Sequence, residues 1–204
     1  MRIARMSLVA AGLALMSASA GHADEALRPP SAFSGIADHT ERSRALFAES
    51  AKVLTSPRCM NCHPAGDHPL QGDDHHRHDP PVERGASGDG IPGAPCAACH
   101  TSRTVDLFPG AVAPFRSIPG HPRWELAPRE MAWEGKSVGD ICRQLKDTKR
   151  NSGHELAVIH DHLATDDLVA YGWHPGAGRA PAPGTQQELG EIIQGWIDSG
   201  AECP

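Results

Sequence analysis

Two short stretches of this 204-residue chain carry the residue types that do chemistry: Cys59-Met60-Asn61-Cys62-His63 and Cys96-Ala97-Ala98-Cys99-His100. Each places two thiols two residues apart and an imidazole immediately after them. That spacing suits covalent attachment of a c-type haem, one thioether to each of the two vinyl groups, with the imidazole as proximal iron ligand. It assigns Cys59, Cys62, Cys96 and Cys99 to attachment, and His63 and His100 to iron. Two C-x-x-C pairs could instead build a four-thiolate zinc site, or close as disulfides. A histidine directly after both pairs, the Pro/Gly-rich stretch between them and a start typical of exported chains all favour haem.

A six-coordinate iron needs a second axial ligand, and four residues compete for that role. Met131 follows a Pro-rich stretch, and only it and Met60 remain once residues 1–23 are removed. A His/Met pair would raise the potential relative to His/His. Met131 could equally pack against Trp124 and Trp133 as core. His160 falls on the apolar stripe Leu156, Ile159 and Leu163, with His162 nearer its edge. A histidine on such a face is also an ordinary core residue. His78 closes a run with His68, His75 and His76 among Asp67, Asp73, Asp74 and Asp79. It is the histidine of that run expected to fold back as a distal ligand. The run could also be a surface site for a divalent ion or a solvated loop.

The elements that position these residues begin after residue 23. Arg2 and Arg5 followed by the apolar run Met6 to Met16 read as a signal peptide, too short to span a bilayer and ended by small residues, with cleavage after Ala20 or Ala23. Residues 24–204 then form one domain. Hydrophobic residues make up 39% and aromatics only 4%, while 21 Gly and 18 Pro imply long loops. Two buried porphyrins would supply the missing apolar volume, so haem attachment is expected to be coupled to folding. The net charge of −6 becomes −8 once Arg2 and Arg5 are removed. This argues against nucleic acid and anionic membranes, and is compatible with a redox partner bearing a basic patch. Four of the six cysteines belong to the motifs; Cys142 and Cys203, left over in an oxidising compartment, are expected to pair.

Four helices are legible. Thr40 can cap one over Glu41 to Leu54, ended by Ser56-Pro57, which delivers the chain into the first motif. Ser137 with Asp140 starts a second, running to about Asp147, with Val138, Ile141, Cys142 and Leu145 inward. Ser152 with Glu155 starts the third. Thr185 with Glu188 starts the last, whose stripe is Leu189, Ile192, Ile193, Trp196 and Ile197 and which Gly200 stops. Between the motifs, 12 of the 32 residues from Pro64 to Pro95 are Gly or Pro, so regular structure there should be sparse. Residues 101–136 read as an extended wrap. The second motif has no helix like that before the first, so the chain does not read as two tandem copies of one domain.

The paired motifs resemble those of dihaem c-type cytochromes, and a helix leading into the first resembles the start of class I cytochromes c. A longer likeness runs through Cys59 to Asp67, His68 to Asp73, Trp124-Glu125-Leu126-Ala127-Pro128, Met131 to Gly135, Ile141 to Asp147 and Asp167 to Gly176. In these stretches the chain is similar to a family of small exported bacterial proteins labelled as a subunit of isoquinoline 1-oxidoreductase, a molybdenum hydroxylase. The resemblance implies His78 and His162 as the histidines that matter outside the motifs, whereas the helix stripe favours His160. It also implies an electron acceptor for a dehydrogenase. The expectation is thus a mainly α fold, cytochrome c-like helices and long loops around two covalent haems, serving periplasmic electron transfer between a dehydrogenase and a respiratory acceptor. The enzyme alternative, a small dihaem peroxidase, needs an open distal face and an acid/base group such as Glu134. A gas sensor would need an output module, which the chain lacks.

Overall fold

A computed structural model describes residues 26–101, 124–176 and 178–204. The expected signal peptide, and most of the expected wrap over 101–136, lie outside them. The fold is mainly α, with six helices among the described residues and two strand pairs of two residues each.

Helix α1 (His39–Leu54) is capped by Asp38, whose carboxylate accepts the Glu41 N–H at 2.9 Å. The expected cap, Thr40, lies inside the helix instead; Asp is at least as good a cap and stands two residues earlier. The helix buries Leu46, Phe47, Val53 and Leu54, and also Glu49, which the apolar pattern did not include. Glu49 is held by Arg28 at 3.0 Å and Lys52 at 2.9 Å. Pro57 both ends this segment and opens α2 (Pro57–Met60), where a missing N–H costs nothing, and Cys59 lies on that turn. The chain then runs through loops pinned by β1 (Leu70–Gln71) against β2 (His76–Arg77) and β3 (Gly90–Ile91) against β4 (Ala94–Pro95), both antiparallel. The second motif opens on a 3-10 turn, Cys96–Ala98, with no long helix before it.

Helix α3 (Val138–Lys146) starts in the expected capping box of Ser137 and Asp140, and buries Ile141, Cys142 and Leu145. Helix α4 (Leu156–Thr165) does not start from Ser152. Ser152 takes a left-handed conformation at φ 65°, and Asn151 organises the turn, donating to the Leu145 and His154 carbonyls and accepting the His154 N–H. Asp166 caps the short α5 (Asp167–Ala170). Helix α6 (Gln186–Asp198) starts in the expected box of Thr185 and Glu188.

Helix α6 is the centre of the core, with α1 against one side and α4 against another. Its Trp196 meets Phe47 of α1 with ring centroids 5.0 Å apart, a tilted pair worth about 1 kcal/mol beyond the area it buries. Gly190 lets α4 come close: a Cβ there would stand 2.6 Å from that of Ala164. Cys142 and Cys203 form the expected disulfide, which ties the end of the chain to α3. Among the described residues, no helix is long and apolar enough to cross a membrane.

Candidate functional site

The first motif opens into a cavity of about 620 Å³, lined by Cys59, Cys62, His63, Met131, Trp133 and residues of α4, α5 and the turn that follows. That volume lies in the range of cofactor pockets. Burial raises the two thiols, Cys59 to about 12 and Cys62 to about 11. At neutral pH they are therefore protonated, and all four motif cysteines are free of disulfides. Asn61 anchors the motif to the loop above it, donating to the Gly72 carbonyl at 2.9 Å and pairing with His75 at 2.9 Å. Arg58 does the same through Gly72 and Asp73.

His63 is fixed on two sides. Its Nδ1 lies 2.6 Å from the Met131 carbonyl oxygen. A carbonyl can only accept, so the proton is on Nδ1 and the Nε2 lone pair is left for a metal. Its ring lies flat against Trp133, centroids 3.6 Å apart and planes 10° apart. Burial lowers its pKa to about 4, opposed by the Met131 bond and helped by the charge of His162. The imidazole is thus neutral, the form that ligates metals.

Helix α4 has two inward faces, which the single apolar stripe did not reveal. One packs on α6: Ala164 meets Gly190, and His160 Nε2 approaches the same glycine while Nδ1 lies 3.1 Å from Asp161. The other lines the cavity with Ile159, His162 and Leu163. So the cavity holds His162 and not His160. The Asp166 carboxylate, 3.2 Å from His162 Nδ1, holds that nitrogen's proton and again leaves Nε2 free. Met131 lies in the cavity wall on the side of His63 Nδ1, where its backbone serves the imidazole.

The second motif lies beside the first, close enough for the charge of Cys96 to reach Cys62. His100 lies flat on Trp124, at 4.3 Å and 9°. His78 stands with its ring centroid 6.1 Å from that of His100 and inclined by 60°. Its Nδ1 is bound to the Pro80 carbonyl at 2.8 Å. Two imidazoles on opposite sides of one metal ion have centroids about 6 Å apart, given metal–nitrogen bonds near 2 Å. The other histidines of the loop are engaged elsewhere: His68 with Val82 and Arg77, His75 with Asn61, His76 with Asp74.

One segment supports both motifs. From 124 to 134 the chain supplies Trp124 to His100, the Ala127 N–H to the Cys62 carbonyl at 3.1 Å, and the Trp133 and Glu134 N–H groups to the His63 carbonyl. Buried Arg84 ties this segment to the loop through the Ala127, Pro64 and Gly66 carbonyls. Tyr171 lines the first cavity and meets Trp124 edge-on at 4.9 Å. Burial raises its phenol to about 12, so it stays neutral. Neither tryptophan was expected to stack on a motif histidine; their only sequence signal was two large aromatics in a Pro-rich stretch. Glu134, the acid/base candidate of the peroxidase alternative, instead accepts the Ala65 N–H.

A four-thiolate site needs its sulfurs gathered, and no group of three or more His, Cys, Asp or Glu side chains is gathered for an ion among the described residues. The donors fit haem better: a cavity walled by both thiols of one motif, and His63, His78 and His162 each held through Nδ1, which leaves Nε2 as the nitrogen to ligate. No family model, curated protein or solved structure matches the chain.

Proposed function

We propose that the chain is an exported dihaem c-type cytochrome that transfers electrons in the periplasm. Cys59 and Cys62 would hold one haem, with His63 and His162 as axial ligands. Cys96 and Cys99 would hold the other, with His100 and His78. The observation that carries this reading is the pairing of each motif imidazole with one further histidine, His63 with His162 in one cavity and His100 with His78 at 6.1 Å. When bound, each haem supplies a one-electron ferric/ferrous couple. The chain's own residues do the rest. Met131, Asp166 and Pro80 hold the ligand tautomers. The apolar wall of Leu126, Ile159, Leu163 and Val169 lines the cavity and would pack on the macrocycle, which with the axial ligands sets the potential.

In this reading Met131 is a structural support and His160 a half-buried residue that packs on α6. The partner is a redox protein, a dehydrogenase such as a molybdenum hydroxylase on the donor side and a respiratory acceptor on the other. The acidic surface suits docking to a basic patch. The test is the optical and EPR spectrum of the holo-protein: two low-spin haems, one turning high-spin in His162→Ala and the other in His78→Ala. An unchanged spectrum in both variants would remove this ligand assignment, and an open high-spin iron in the parent would favour the peroxidase alternative.

A further inference from the structure

Both motif histidines rest on a tryptophan, and the arrangement is nearly the same twice. Trp133 lies 3.6 Å from His63 at 10°, and Trp124 lies 4.3 Å from His100 at 9°. The two indoles stand nine residues apart on one segment, which is itself hydrogen-bonded to the first motif and to the loop between the motifs. A flat contact at this distance would block rotation of the imidazole about a bond from Nε2 to a metal, and the Met131 carbonyl holds Nδ1 of His63.

We infer that Trp124 and Trp133 are positioning residues that clamp the two motif imidazoles and bias each haem iron toward its ferric state. This rests on the dihaem reading above. The physical cause is the quadrupole of the indole, negative over its face. An imidazole bound to ferric iron carries more positive charge than one bound to ferrous iron. The stacked indole therefore favours the oxidised form, and among aromatic faces Trp does so most strongly. Trp133 is 2% exposed, and its Nε1–H has no partner among the described residues. Phe would fill the position without burying an unpaired donor, so packing alone does not account for the indole. Each stack holds one motif imidazole: Trp133 lies on His63 and Trp124 on His100, and Trp124 also meets Tyr171 edge-on.

The experiment is a potentiometric titration of the two-haem protein, with Trp133→Leu, Trp124→Leu and the corresponding Phe variants. In each Leu variant one of the two potentials rises, equivalent to a loss of about two- to fivefold in the ferric/ferrous preference. The haem affected differs between the two positions. The same haem changes its EPR g-values as its imidazole becomes free to turn. The Phe variants move their own haem part of the way and keep the ring volume, so they carry the test even if a Leu variant fails to fold. The inference is overturned if both haems are bound and low-spin but neither potential moves, or if each variant moves both potentials alike, as general loosening would. A parent protein without covalent haem overturns the dihaem reading itself, before any variant is compared.

Discussion

Breaking the Cys142–Cys203 bridge removes one covalent tie and nothing else. The two cysteines are 61 residues apart in sequence, and the bond closes α3, α4, α5 and α6 into one loop. Cross-linking a loop of that length restricts the unfolded chain by about 4 kcal/mol. Cys142 is fully buried, and the Lys146 ammonium bonds the Ala201 carbonyl beside the bridge, so the native state keeps its packing when the bond is lost. For a domain of this size the loss lowers the melting temperature by roughly 10 °C. The assay is urea and thermal unfolding of the holo-protein, followed by far-UV circular dichroism, for the parent and the Cys142→Ala/Cys203→Ala double variant. The double variant should unfold at lower urea with a somewhat steeper slope, because the unfolded chain without the cross-link is less compact. A loss below about 1 kcal/mol would refute the loop argument.

Four further outcomes follow from the core and from α4. Phe47→Ala removes a ring that is fully buried between α1 and α6 and should cost about 3–5 kcal/mol in urea unfolding. The Glu49 carboxyl would be raised by burial alone, but bonds from Arg28 and Lys52 hold it below its ordinary value of 4.5. Its contribution is therefore complete above that pH and lost as the pH falls through the lower folded value; Glu49→Gln should be less stable at neutral pH by about 1–3 kcal/mol and show a flatter acid limb, read by unfolding at a series of pH values. Gly190→Ala would put a methyl 2.6 Å from Ala164, so α4 must shift from α6 at a cost of about 1–3 kcal/mol, whereas His160→Ala should leave the haem spectrum unchanged.

The local parts of this fold were legible because their causes are local. Ser137 with Asp140 and Thr185 with Glu188 are three residues apart and form the expected boxes. The Cys142–Cys203 bond followed from counting the cysteines left over. Thr40 and Ser152 failed as caps because a better neighbour was at hand: Asp38 in one case, the Asn151 turn in the other. What the sequence hid lies between distant segments. The second inward face of α4, which places His162 in the cavity, exists only because α5 and the 124–134 segment cover it. The stacking of Trp124 and Trp133 on histidines 24 and 70 residues earlier in the chain, and the bond of His63 to the Met131 carbonyl, leave no periodic trace.

Covalent attachment of two haems is tested most directly by intact-mass spectrometry and a pyridine haemochrome assay on the protein produced in the periplasm of a haem-maturing host. The predicted result is two haems per chain, reduced to one in Cys59→Ala/Cys62→Ala and in Cys96→Ala/Cys99→Ala. A chain that leaves the periplasm of a haem-maturing host at the mass of its polypeptide alone, or with bound zinc, would contradict it.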